Sequence, residues 1–395
     1  MTTLLKKVAT EKHLQITLVL VLFFLSEAVT KIVYHAGLPF HNYSALVKGA
    51  FIVLAVVFAF LNLTKNRKQL LLFLIGMSLF FIVGQYTFNN NQFGIHFFGN
   101  LIFFSRYVFV FIISLFFIKG FKAPPDSLFF KVYEKIVLLN SLLIIMGIVF
   151  NISLFQTYSF RFGYNGLFMV PSISTFFYAL ALTYFTNQFL KDKTKLAELI
   201  LVSIICFLTG TKALMLFFVL TAAHVFIVKK MYKNKWFYIA CSGILLVIFL
   251  IRKYIFNALS SVFQTIFSVY KEDGLITALT SYRNEKLRDN FVPLIEEKWS
   301  WANYLFGGTD FVPYRVEFEL FDVFLFFGII GTIIYLFFYF KHIINFKYLI
   351  PFGRLQIVFL LIIAMLSGTF FNNAPIALYL LIVLGSLRLK PTHGN

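Results

Sequence analysis

The chain has 395 residues, of which 60% are hydrophobic and only 13% charged, where a soluble globular chain carries about 25% charged residues. That balance excludes a soluble globular enzyme and fits a helical integral membrane protein. A net charge of +19 invites a nucleic-acid reading, which the placement of the charges argues against below. The two cysteines, Cys206 and Cys241, both lie in apolar runs. They give neither a disulfide framework nor a metal spacing.

Crossing about 30 Å of hydrocarbon takes about 20 apolar residues in a helix. In chain order the sequence predicts spans at 14–34, 45–63, 70–88, 101–119, 136–155, 171–190, 196–210, 213–229, 236–252, 321–340, 355–373 and 376–389. The fold class is therefore all-α and polytopic, with about twelve transmembrane helices. Three lysines precede the first apolar run, as in a signal peptide, but that run is too long for an h-region and lacks a small-residue cleavage site. It reads as a span that stays.

Lysine and arginine near span ends set the orientation. "KNRK" (65–68), 119–135, "KDKTK" (191–195), "KKMYKNK" (229–235), 341–354 and "RLK" (388–390) alternate with outer loops such as "YHAGLPFHNYS" that hold no lysine or arginine. This places both termini in the cytoplasm and assigns the basic excess to topology and anionic lipid; no nucleic-acid partner is needed. Three regions follow: spans one to nine (1–252), a large outer loop (253–320), and spans ten to twelve with a cytoplasmic tail (321–395). In the loop, "NALSSVFQTIFSVY" and "VPLIEEKWSWANYLFG" each read as an amphipathic helix.

Charges left unexplained by topology gather at the outer side, and a charge at membrane depth faces a cavity or a partner. Glu27 and Lys31, four apart, share a helix face and read as an ion pair. Lys48 reads as a snorkelling side chain. Arg106 sits six residues into the fourth span and ties either a neighbouring carbonyl or a substrate. Arg161, in "FRFGYNG", offers a planar fork for phosphate or carboxylate; its plainer role is an interfacial anchor. Lys212, in "LTGTKA", stands at a helix start, where free N–H groups favour an anion and a lysine alone is mildly disfavoured by the dipole. Arg283, Lys286 and Arg288 fall within two turns, mixed with acids as on a solvated surface helix. Glu317, Glu319 and Asp322, near Arg315, lead into span ten. Asp322 alone reads as a helix cap, while a carboxylate beside a basic cavity can also act as general base or steer a sugar hydroxyl. Trp299, Trp301 and Tyr304 add aromatic faces. No nucleotide-binding loop, HExxH or GxSxG occurs.

Three stretches, "RFGYNGLFMVPSISTFFYALAL", "LTGTKALML" and "RVEFELFDVFLFFGIIGTIIYL", together with the span pattern, resemble the O-antigen polymerase and ligase superfamily of bacterial membrane glycosyltransferases, its Wzy-like polymerases in particular. The chain departs twice: Lys212 stands where the family usually carries arginine, and loop 253–320 has no histidine, which favours polymerase over ligase. The resemblance implies a GT-C-like fold in the bacterial inner membrane, with the large loop periplasmic. It implies a polymerase joining polyprenyl-diphosphate-linked repeat units into O-antigen, capsule or exopolysaccharide, with no metal or other cofactor and with a chain-length regulator as a possible partner. Arg106, Arg161, Lys212, Arg283, Arg288 and Arg315 would hold the diphosphate, and Glu317, Glu319 and Asp322 would serve the acceptor hydroxyl. A ligase-type transferase and a lipid-linked oligosaccharide flippase are the alternatives; a flippase would show repeated halves with helices broken at the midplane.

Overall fold

The computed structural model describes residues 2–39, 42–89, 94, 96–117, 127–158, 162–193, 195–235, 249 and 252–389. Among them the regular structure is helical: α1 (Thr2–His35), α2 (Tyr43–Leu61), α3 (Lys65–Phe88), α4 (Phe97–Phe117), α5 (Leu128–Val149), α6 (Pro171–Asp192), α7 (Leu196–Leu208) and α8 (Lys212–Val228). After these come α9 (Arg252–Thr280), the short α10 (Arg283–Lys286), α11 (Trp301–Phe306) and α12 (Phe311–Tyr314), then α13 (Glu319–Phe338), α14 (Pro351–Ser367) and α15 (Ala374–Leu387). Six described segments are long and apolar enough to cross a membrane: His13–His35, Tyr43–Leu61, Lys65–Phe88, Phe97–Leu115, Leu128–Val149 and Glu319–Tyr348. Four apolar helices, α7, α8, α14 and α15, are shorter. The expected ninth span, 236–252, falls almost wholly outside the described residues, as does Cys241.

Two helices form the centre. Every residue of α6 from Ile173 to Asn187 is buried, as is every residue of α15 from Ala374 to Leu384. The two pack on each other. A helix enclosed all round needs no polar face, and both start with proline in the first turn, where its missing N–H is no loss. Helices α7, α8 and α14 pack against α6, and α4 and α1 against α15; further out α1 packs on α2 and α5, α2 on α4, and α3 on α13. Rings fill the seams: Phe73 stacks on Phe338 at 4.3 Å and Phe81 on Phe104 at 4.7 Å, each pair contributing about 0.5–1.5 kcal/mol beyond its burial.

Three expectations shift. Helix α5 begins at Leu128 rather than 136, because Phe129, Phe130 and Tyr133 are buried while Glu134 turns to Lys195, 2.9 Å away. The stretch "VPLIEEKWSWANYLFG" is not one helix. A π-helical turn, Leu294–Lys298, ends at extended Trp299 and Ser300, and α11 starts afresh with Ser300 and Asn303 in a capping box. Helix α13 is interrupted at Gly328, whose φ of 64° and ψ of −170° are not helical. The Leu325 carbonyl accepts instead from the Gly308 amide at 2.9 Å, so α11 and the following loop dock into the break.

Candidate functional site

One end of the bundle collects most of the outer-side charges singled out above. It is built where three chain segments meet: the α9–α10 corner, the entry to α13, and the α14–α15 connection. Asp322, in the first turn of α13, turns back and accepts from the Val316 and Glu317 amides at 2.8 and 3.0 Å. It fastens the preceding loop rather than capping α13. Glu317 is thereby held at φ 63°, a left-handed conformation that costs a non-glycine residue about 1–2 kcal/mol. Gly368 lies flat against it: a Cβ there would sit 2.5 Å from the Glu317 carbonyl oxygen.

Around the Glu317 carboxylate stand Lys286 at 2.9 Å, Arg315 at 3.2 Å and Arg283 at 3.4 Å. Partial burial pushes this carboxyl up, but Lys286, Arg283 and Arg315 outweigh it and hold Glu317 below the ordinary glutamate value. Three cations thus face one anion. Arg283 also donates to the Thr280 and Ser367 carbonyls, both at 3.0 Å, and its buried Nε has no partner. Burial lowers the Arg283 pKa, opposed by Glu317 and Asp322. Deeper in, Glu319 is 0% exposed. One of its oxygens accepts from the Phe371 amide at 2.5 Å and the other has no partner. The Tyr107 hydroxyl, on α4, meets Asn372 in the same connection at 3.4 Å.

Arg106 lies with its guanidinium 4.8 Å from the Phe103 ring centroid and within electrostatic reach of both Glu27 and Arg315. No hydrogen bond joins it to another described residue. The expected Glu27–Lys31 pair does not form. Glu27 instead accepts from Ser44 and from Lys48, the latter at 2.6 Å. Lys31 donates to Asn165 Oδ1 at 2.5 Å and to the Gly166 carbonyl at 2.7 Å. Lys48 is therefore an ion-pair partner rather than a snorkelling side chain. Helical spacing fixed the face these residues share but not their tertiary partners.

Lys212 donates to the Ala278 carbonyl at 2.7 Å and to Ser281 Oγ at 3.1 Å. Its cation sits at the C-terminal end of α9, on the short stretch that follows the non-helical Gly274 (φ 86°, ψ 174°), and it clips α9 to the start of α8. The turn before it touches the glycine-rich loop backbone to backbone. Tyr164 donates to the Leu208 carbonyl at 2.9 Å, and a Cβ on Gly210 would stand 2.4 Å from the Phe162 carbonyl oxygen. Two of the three stretches singled out in the sequence are therefore in contact.

The structure thus brings Arg283, Arg315, Glu317, Glu319 and Asp322 together, with Arg106 and Lys212 at the margin. Arg288 stands apart, in an exposed pair with Asp289 at 2.7 Å. Arg161 lies outside the described residues. Of the aromatics, Trp299 is buried and donates to the Gly308 carbonyl at 2.8 Å, whereas Trp301 is 76% exposed. Sequence reasoning undervalued Lys286, read only as one of a surface group, and missed Asn165 and Asn140. Asn140 donates to the Asn165 carbonyl and to Tyr178 Oη and accepts from the Leu167 amide; a buried asparagine inside an apolar span was its only signal. Among the described residues no three His, Cys, Asp or Glu side chains gather as a metal set. No family model matches the chain, and neither a curated protein nor a solved structure matches it.

Proposed function

We propose that this protein is a membrane glycosyltransferase that polymerises polyprenyl-diphosphate-linked oligosaccharide repeat units. In this reading the bundle has about twelve spans and a GT-C-like plan. Both termini are cytoplasmic in a bacterial inner membrane, and the end bearing Glu317 faces the periplasm. The observation that supports it best is the group formed by Arg283, Lys286 and Arg315 around Glu317, beside two further carboxylates at the entry to an apolar helix. The cations suit a diphosphate, whose charge they stabilise as it leaves. The acceptor hydroxyl attacks the anomeric carbon, the bond from that carbon to the diphosphate oxygen breaks, and the hydroxyl proton passes to a carboxylate or water.

The three carboxylates have different tasks in this scheme. Asp322 has both oxygens engaged by backbone amides and is a positioning residue. Glu317, held anionic by its neighbours, orients the cations and the acceptor hydroxyl. Glu319 is buried and keeps one oxygen without a hydrogen-bond partner, and it is the candidate base. Arg106, Arg161 and Lys212 would complete the diphosphate side, with Arg161 assigned from the sequence alone.

Reconstitution with purified lipid-linked repeat units tests the reading. Wild type is expected to give longer glycans, and Arg315→Glu and Arg283→Glu to give none while still inserting into the membrane. Full-length polymer from either variant would refute the assignment. Translocation of the units without extension would instead identify a flippase.

A further inference from the structure

A groove of about 400 Å³ opens between α3 and α13, on the half of the bundle away from Glu317. Its walls are apolar, with Leu72 and Phe80 on one side and Ile334 on the other, over a floor made by the stacked Phe73 and Phe338 rings. Gly76 faces into it, and a Cβ at that position would meet nothing within 4 Å. At one end the lining turns polar, with Gln69, Lys341 and His342. The volume lies within the range of sites that hold small molecules, about 300–1,000 Å³.

The backbone places the polar end. The C-terminal end of α13 passes into a π-helical turn, Tyr339–Ile344, a local widening common at functional sites. From that turn Lys341 holds its ammonium 5.2 Å from the Phe337 ring centroid, and His342 stacks on Phe338 at 5.2 Å. Lys341 has no carboxylate or carbonyl partner among the described residues. Lys65, four residues before Gln69, falls on the same face of α3. An apolar slot thus ends in a cation that no anion of the described chain neutralises.

We propose that this groove binds an anionic phospholipid of the membrane, with an acyl chain along Gly76 and the phosphate at Lys341. A polyprenyl diphosphate is the poorer occupant. Glu319 and Lys341 stand 22 residues apart within one segment, Glu319–Tyr348, that is long and apolar enough to cross a membrane. A lipid whose phosphate sits at the Glu317 cluster therefore belongs to the opposite leaflet. The inference does not depend on glycosyl transfer, and its test needs no donor substrate.

The purified full-length protein, in nanodiscs of mixed phosphatidylglycerol and phosphatidylcholine, is released and its retained lipids are counted by native mass spectrometry. Wild type is expected to keep phosphatidylglycerol in preference to phosphatidylcholine. Lys341→Ala should lower that preference about five-fold, equivalent to about 1 kcal/mol for one juxtamembrane lysine. Gly76→Phe, which fills open space without straining the backbone, should remove the retained lipid altogether. Equal retention of the two lipids by wild type overturns the proposal, as does wild-type retention by Lys341→Ala. Displacement of phosphatidylglycerol by equimolar polyprenyl phosphate overturns the choice of occupant.

Discussion

Glu317 carries two features that pull in opposite directions. Its backbone is strained at φ 63°, and its carboxylate joins three cations that would otherwise repel one another. Replacing it with glutamine keeps the shape and removes the charge. Glu317→Gln is expected to cost about 2 kcal/mol of stability at pH 7, the scale of hydrogen bonds to a charged group. The same change should raise the affinity of the cluster for inorganic pyrophosphate, measured by calorimetry, because the internal anion no longer competes. The folded-state pKa of Glu317 lies below its ordinary value, so its stabilisation is present above about pH 4.3, the unfolded value, and is lost as the pH falls through the lower folded value. The difference in melting temperature between wild type and Glu317→Gln should therefore shrink below about pH 4. Most of this neighbourhood was legible in the sequence, because the charges flank an apolar helix. The partners were not: nothing in the spacing of Glu27, Lys31 and Lys48 says that Lys31 goes to Asn165 on a distant loop.

At the scale of the element, the apolar runs of α1 to α4 announced themselves by length, whereas the breaks inside helices did not. Gly328 reads as an ordinary glycine in an apolar span, yet its backbone is non-helical. A Cβ there would lie 2.4 Å from the Leu305 carbonyl oxygen. Gly328→Ala combines a conformation essentially reserved for glycine with a backbone clash. It is expected to destabilise by more than about 2 kcal/mol, read as a lower melting temperature in detergent, with Gly76→Ala near neutral as the control. The reason lies far off in sequence: the docking of residues 305–308 creates the need for the break, and no local pattern encodes it. The late placement of α5 has a similar cause. Lys131, Glu134 and Lys135 made its first turns look like a charged loop, and only the burial of Phe129, Phe130 and Tyr133 on the opposite face reveals the helix.

For the whole molecule, packing joins most distant segments, as α6 joins α15 and α3 joins α13, and one side chain reinforces a corner of it. Lys212 is the clip between the α8 start and the far end of α9, beside Ser281 and Tyr282, both at positive φ. Lys212→Ala is expected to loosen this corner and speed limited proteolysis near residues 281–282 several-fold, with the melting temperature of the bundle little changed. Cleavage at the wild-type rate would show that the clip does not hold the corner. The central pair has a consequence of another kind. Helix α6 is wrapped on all sides, and the surface it rests on, α15, is translated about 180 residues after it, from Asp192 to Ala374. While the ribosome is still decoding the intervening codons, α6 has to wait in the insertion machinery with its tyrosine and asparagine side chains unsheltered. Biogenesis is then the step most exposed to delay, and a stalled transcript would leave a half-assembled intermediate for membrane quality-control proteases.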